Sequence, residues 1–142
     1  MPKFKITLKT RLFLYHKGRI LLLRQTKPNG GNYTMVGGTI EKQELAKETL
    51  IRESFEEAGI ILKPNHLQLV HVLQKLRKNE QRITLYFKAK AWKGQVFPRE
   101  SEKFSGAEWF YLNQLPSNLT ATVKHVLHAY RSGHFYSHQK QS

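Results

Sequence analysis

Between Gly38 and Gly59 the chain runs for twenty residues without a glycine or a proline. Ala, Leu, Lys and Glu dominate that stretch, so a helix over 43–58 is predicted, with Gly59 as its C-cap. The same stretch gathers negative charge. The chain has no Asp, and six of its ten Glu (Glu41, Glu44, Glu48, Glu53, Glu56 and Glu57) lie within 37–60, in a chain of formal net charge +14. On the predicted helix Glu53, Glu56 and Glu57 stand at i, i+3 and i+4, which puts three carboxylates on one face, where like charges repel. A divalent cation would relieve that repulsion, because hard cations such as Mg2+ prefer carboxylate oxygens. On the carboxylates alone, a solvated acidic face is as good a reading.

The flanking residues shift that balance. Gly38, five residues, Glu44, seven residues, then Arg52-Glu53-x-x-Glu56-Glu57-x-Gly59-Ile60 resembles the signature of the Nudix hydrolase family, with seven fixed positions at fixed spacing. Ser54 departs from the bulky aliphatic usual in the family, and Val36 stands where many members have Pro. The resemblance implies an α/β/α sandwich with a mixed central β-sheet, and metal-dependent hydrolysis of a nucleoside diphosphate linked to another group. It implies Glu53, Glu56 and Glu57 as metal ligands, joined by the Gly37 carbonyl, with Arg52 holding the carboxylates in place. The metal would be Mg2+, with Mn2+ as the alternative. It also implies a further catalytic Glu on the loop after the second pair of strands, where Glu100 and Glu102 are available and Glu102 is chosen. Tyr33 and Trp109, with Arg24, are candidates for substrate contact, since aromatics near a nucleotide site can stack on a base. Core packing competes for Trp109. Glu48 and Arg52 form an i, i+4 ion pair on the helix, a cleaner match than Glu44 with Arg52.

Around this stretch the chain reads as strands. Phe4 to Tyr15 alternates, with Phe4, Ile6 and Leu8 on one face. His16-Lys17-Gly18 turns it into Arg19–Arg24, a hairpin partner whose continuous Ile20–Leu23 run implies burial on both faces. Leu67–Leu76 and Arg82–Ala91 form a second hairpin, Trp92–Gly106 a long loop, and Ala107–Leu112 a short strand. A C-terminal amphipathic helix over 118–131 is predicted from Leu119, Val123, Val126, Leu127 and Tyr130. Residues 1–133 are expected to form one domain, and 134–142 a loose polar tail.

Composition narrows the function. Without Cys there is no disulfide and no thiol chemistry. The chain shows no signal peptide and no run of apolar residues long enough to span a membrane, which makes a cytoplasmic protein without a membrane partner the expectation. The positive charge favours phosphate-rich partners, and its even spread along the chain points to general steering of a nucleotide rather than a nucleic-acid groove. The stretch 73–78 carries none of the markers of the ADP-ribose, dinucleoside polyphosphate or NADH subclasses. By elimination the chain looks most similar to MutT-type enzymes that cut a nucleoside triphosphate, an oxidised or non-standard one included, to monophosphate and pyrophosphate. An RNA 5′-end pyrophosphohydrolase and a catalytically silent nucleotide- or RNA-binding module are the alternatives, as a monomer or a homodimer.

Overall fold

The computed structural model describes residues 3–141; Ser142 of the expected tail lies outside them. Nine strands and two helices follow one another: β1 Lys5–Phe13, β2 Tyr15–His16, β3 Arg19–Gln25, β4 Tyr33–Thr34, β5 Gly37–Thr39, α1 Ala46–Ala58, β6 Leu67–Arg77, β7 Glu80–Ala89, β8 Phe104–Tyr111, α2 Ala121–Arg131 and β9 Tyr136–Lys140. One sheet is mixed, with strand order β5-β1-β7-β6-β9, in which β1–β7 and β6–β9 are parallel. The second sheet is built on β3, which pairs with β2, β4 and β8, all antiparallel.

The layering follows from alternation along the central strands. Leu12 and Leu14 with Leu21 and Leu23 join Leu50 and Ala58 of α1 in one apolar cluster. Their neighbours Phe13, Ile20 and Leu22 join Val123, Val126 and Leu127 of α2 in another. Successive strand residues point to opposite faces, so each face of these strands is covered by its own helix. This is the expected α/β/α arrangement, and Ile20–Leu23 is buried on both faces as its composition required.

Several expectations are corrected. β1 does not form a long hairpin with β3: it pairs in parallel with β7 over nine residues, and only Tyr15–His16 folds back onto β3. The chain changes sheets at Leu14. Phe4, Ile6 and Leu8 do not line a core but are 60%, 72% and 46% exposed, because both apolar clusters begin on β1 only at Leu12 and Phe13. α1 starts three residues late: Gln43 takes a left-handed φ of 68° and Leu45 is extended, which delays the helical geometry until Ala46. The tail is not loose. Tyr136–Lys140 adds an edge strand parallel to β6, latched by buried His71, whose ring nitrogens meet the His134 carbonyl at 2.8 Å and Ser137 Oγ at 2.7 Å.

Candidate active site

The diglycine strand β5 lies against β1, with Gly37 opposite Arg11 and Gly38 opposite Thr10, and α1 packs across both. This approach needs glycine. Gly37 holds a φ of 151°, and a Cβ there would fall 2.0 Å from the Thr10 carbonyl oxygen; a Cβ on Gly38 would fall 2.8 Å from Glu53 Cδ. Two bare backbone positions therefore let the acidic face of α1 rest against the sheet.

Glu57 is the buried member of the carboxylates, 4% exposed, and its Oε1 accepts the Gly37 N–H at 3.0 Å. Burial pushes its carboxyl up to about 7, against the pull of that N–H and of Arg11, and the nearby Glu53 and Glu100 carboxylates push the same way. Glu53 lies on the same side of α1. Both line a groove of about 480 Å³ with Lys9, Arg11 and the two glycines. What the structure shows of Gly37 is its N–H, donated to Glu57, rather than the carbonyl expected to face a cation.

Arg52 contacts three carboxylates, and Glu48, the partner its helical spacing suggested, is not among them. Its Nε and Nη2 donate to the two Glu44 oxygens at 3.1 Å each, and its Nη1 donates to Glu53 Oε1 at 2.7 Å and to Glu56 Oε2 at 3.4 Å. The bidentate contact holds the Glu44 carboxyl below the usual carboxylate range. Glu44 reaches Arg52 because it sits in the turn ahead of α1, not on the helix. Glu48 is not an Arg52 partner; its Oε1 accepts the Leu45 N–H at 2.8 Å and so caps the start of α1. Glu56 is half exposed on the far side of Arg52 and does not line the groove.

The loop carboxylate beside the site is Glu100, not Glu102. The loop is tied to the end of α1: the Phe97 N–H donates to the Ala58 carbonyl, and the Arg99 N–H to the Glu57 carbonyl. The Arg99 guanidinium donates to the Phe55 carbonyl at 2.9 Å. That docking turns Glu100 inward, where its Oε1 is buried without a hydrogen bond and pairs only at longer range with Lys103 Nζ, at 3.8 Å. Glu102 is exposed, and its backbone carbonyl binds Thr26 and Asn29.

None of the three expected substrate contacts lines the groove. Tyr33 is buried, its hydroxyl donating to Glu108 Oε2 at 2.5 Å and its ring 5.1 Å from that of Phe110. Arg24 lies over the Tyr33 ring. Trp109 is half-buried, its ring 6.0 Å from Trp92 and 5.6 Å from His16. The groove residues missed from the sequence are Lys9 and Arg11, which period-2 alternation along β1 would have put on one face.

The donor set around Glu57 is all oxygen, which suits a hard divalent cation, and the buried Glu100 Oε1, without a hydrogen bond and 3.8 Å from Lys103 Nζ, is a further acceptor of that kind. Among the described residues no three acidic or His side chains converge closely enough to cage an ion as they stand, with Glu53 and Glu56 both drawn to Arg52.

A three-layer α/β fold whose helix sets carboxylates against a diglycine strand defines the class. The family description "NUDIX domain" matches residues 9–130, and the chain belongs to that family. A curated relative described as "NAD-capped RNA hydrolase NudC" from Haemophilus influenzae (strain PittGG) is 32% identical over 109 residues, covering 75% of this chain and 39% of its own length. The chain thus spans about two-fifths of that relative. The crystal structure of a MutT NUDIX hydrolase from Burkholderia pseudomallei superposes with a TM-score of 0.77 at 25% identity, covering 87% of this chain and 96% of the other. A MutT protein structure from Methanosarcina mazei Go1 gives a TM-score of 0.77 at 21% identity, with 94% and 97% covered, and shares the fold.

Proposed function

We propose that this Nudix hydrolase domain cuts a phosphoric anhydride bond of a nucleotide, with a nucleoside triphosphate going to monophosphate and pyrophosphate as the leading reaction. The observation that carries the proposal is Glu57, buried, held by the Gly37 N–H and facing the groove beside Glu53. Burying a carboxylate costs several kcal/mol unless a partner compensates it, and one amide donor is little compensation.

Mg2+ or Mn2+ would be held by Glu53, Glu57 and Glu56 once Arg52 releases part of its hold. When bound, the cation supplies charge neutralisation on the bridging phosphates and an acidified water. The chain's own residues do the rest. Arg52, fixed by Glu44, orients Glu53 and Glu56. Gly37 and Gly38 let the phosphates approach the backbone closely. Glu100, whose inward Oε1 makes no hydrogen bond and lies 3.8 Å from Lys103 Nζ, is the base that accepts a proton from the attacking water.

The test is a panel of nucleotides incubated with the protein and Mg2+, with products identified. Turnover that releases pyrophosphate and is abolished in Glu57→Gln is expected; a panel without turnover contradicts the proposal. A second reading, action on the 5′ end of RNA, is favoured by the charge of the groove and by a relative whose description names a capped RNA. A silent binding module is disfavoured, since every carboxylate of the pattern is present.

A further inference from the structure

The groove does not end at the carboxylates. Past Arg11 it opens into a second hollow of about 310 Å³, with Lys9, Arg11, Gln25 and Thr34 common to both. Its floor is the face of the mixed sheet next to β5. Register puts Lys9 opposite Thr84, Thr7 opposite Arg82, and Arg82 in turn opposite Lys75. Period-2 alternation brings Lys9 and Arg11 of β1, Arg82 of β7, and Lys75 and Arg77 of β6 onto one face. α2 closes over part of it, and Lys75 Nζ donates to Thr122 Oγ1 at 2.9 Å.

Four of these five cations are buried or half-buried, and only Arg77 is exposed, at the rim. Lys75 is only 5% exposed, and Lys9 is half-buried with no hydrogen-bond or ion-pair partner among the described residues. Two carboxylates flank them: Glu80 at the far end, 3.2 Å from Arg82 and 3.8 Å from Arg77, and Glu57 at the groove end, within the field of Arg11. Like charges brought this close and partly out of water repel strongly. The Lys9 ammonium accordingly loses its proton more easily, lowered to about 8, first by burial and then by Arg11 and Arg82. Arg11 sits one strand spacing, about 5 Å, from Gly37. Tyr33 and Trp109 line neither space, and the Tyr86 and Phe104 rings that do are buried in the two apolar clusters, with little face left for a base.

We propose that this hollow is an oligophosphate site: it takes the phosphate end of the substrate, at least two phosphate groups beyond the one attacked, and leaves the base outside. The inference rests on the proposed anhydride hydrolysis for its link to a substrate; the anion site itself stands on the geometry of β1, β6 and β7. The phosphates belong either to a free nucleotide or to the 5′-triphosphate end of an RNA.

Calorimetric titration of the metal-free protein with inorganic tripolyphosphate, near 0.15 M salt, tests it without turnover. Binding is expected to weaken about tenfold or more in Lys9→Gln/Arg82→Gln. It should also weaken in Arg77→Gln, which alters only the exposed rim and keeps the test open if the double variant unfolds. Lys63→Gln/Lys93→Gln, on another part of the surface, should bind as wild type. Competition by a nucleoside triphosphate and by a short 5′-triphosphorylated RNA separates the two sources, and the 5′-monophosphorylated RNA should compete poorly. Equal losses in the cleft and control variants, orthophosphate binding as tightly as tripolyphosphate, or equal competition by the two RNAs would overturn the proposal. Tripolyphosphate binding without hydrolysis of any nucleotide would sustain the anion site and count only against the enzymatic reading.

Discussion

The two flanks of the groove are built on opposite plans. On one, Glu53 and Glu57 come from adjacent turns of a single helix, and their positions are set by one arginine and two glycines. On the other, Lys9, Arg11, Lys75, Arg77 and Arg82 come from three strands, and register alone assembles them. The difference suits their tasks. Bond cleavage requires groups held within fractions of an ångström of the productive geometry, which neighbours on one helix provide. Attraction of a phosphate chain requires net charge in a partly dry cleft, which tolerates looser placement. Damage to the acidic flank should therefore appear mainly in turnover, and damage to the basic flank mainly in substrate capture.

The largest effect expected on the acidic flank is from Glu57→Gln or from chelation of divalent cations. The metal's charge stabilisation is worth several kcal/mol, at about tenfold in rate per 1.4 kcal/mol, so turnover should fall about a thousandfold. A loss under about tenfold would move the chemistry off Glu57. Arg52→Ala touches the same flank indirectly, freeing Glu44, Glu53 and Glu56, and should lower activity or metal affinity by about 10- to 100-fold. Titrating activity against Mg2+ distinguishes the two, and an unchanged curve would leave Arg52 without its organising role.

A smaller effect concerns stability. The Glu57 carboxyl is raised from its ordinary value to about 7 in the folded protein. Its contribution is therefore fully present below about pH 4.5 and is lost as pH rises through about 7, by roughly 3 kcal/mol at most. Metal-free Glu57→Gln should lack that loss and melt several degrees above wild type at pH 8, with the gap closing at pH 5. Parallel melting curves across that range would show that Glu57 is not desolvated. The two glycines separate turnover from stability. Gly38→Ala should push Glu53 off the strand and lower turnover more than it lowers melting temperature, whereas in Gly37→Ala the clash with the Thr10 backbone should lower both.

The two flanks also differ in how far they could be read from the chain. Glu53, Glu56 and Glu57 are close in sequence, so helical spacing put them on one face and the resemblance added Arg52, although Glu56 lies outside the groove. The β6–β7 hairpin, the double burial of Ile20–Leu23 and the C-terminal helix were legible for the same local reason, although the helix expected over 118–131 starts only at Ala121, after the Thr120 cap. What escaped was non-local. The even spread of Lys and Arg hid a basic face that exists only once β1 lies parallel to β7. Glu100 and Glu102 are indistinguishable until Arg99 docks the loop on α1. The left-handed Gln43 moved Glu44 into reach of Arg52 and freed Glu48 to cap the helix. Tyr136–Lys140 has the composition of a tail and is a strand because β6 offers it an edge and His71 a latch.

Steady-state kinetics of Glu53→Gln and Arg82→Gln on one nucleoside triphosphate with saturating Mg2+ test the division most directly. Glu53→Gln is expected to lower kcat by about a hundredfold or more with KM close to wild type, because its loss is felt in the transition state. Arg82→Gln is expected to raise KM about tenfold while kcat falls far less. If Arg82→Gln instead collapsed kcat at unchanged KM, or Glu53→Gln altered KM alone, chemistry and capture would not be divided between the two flanks.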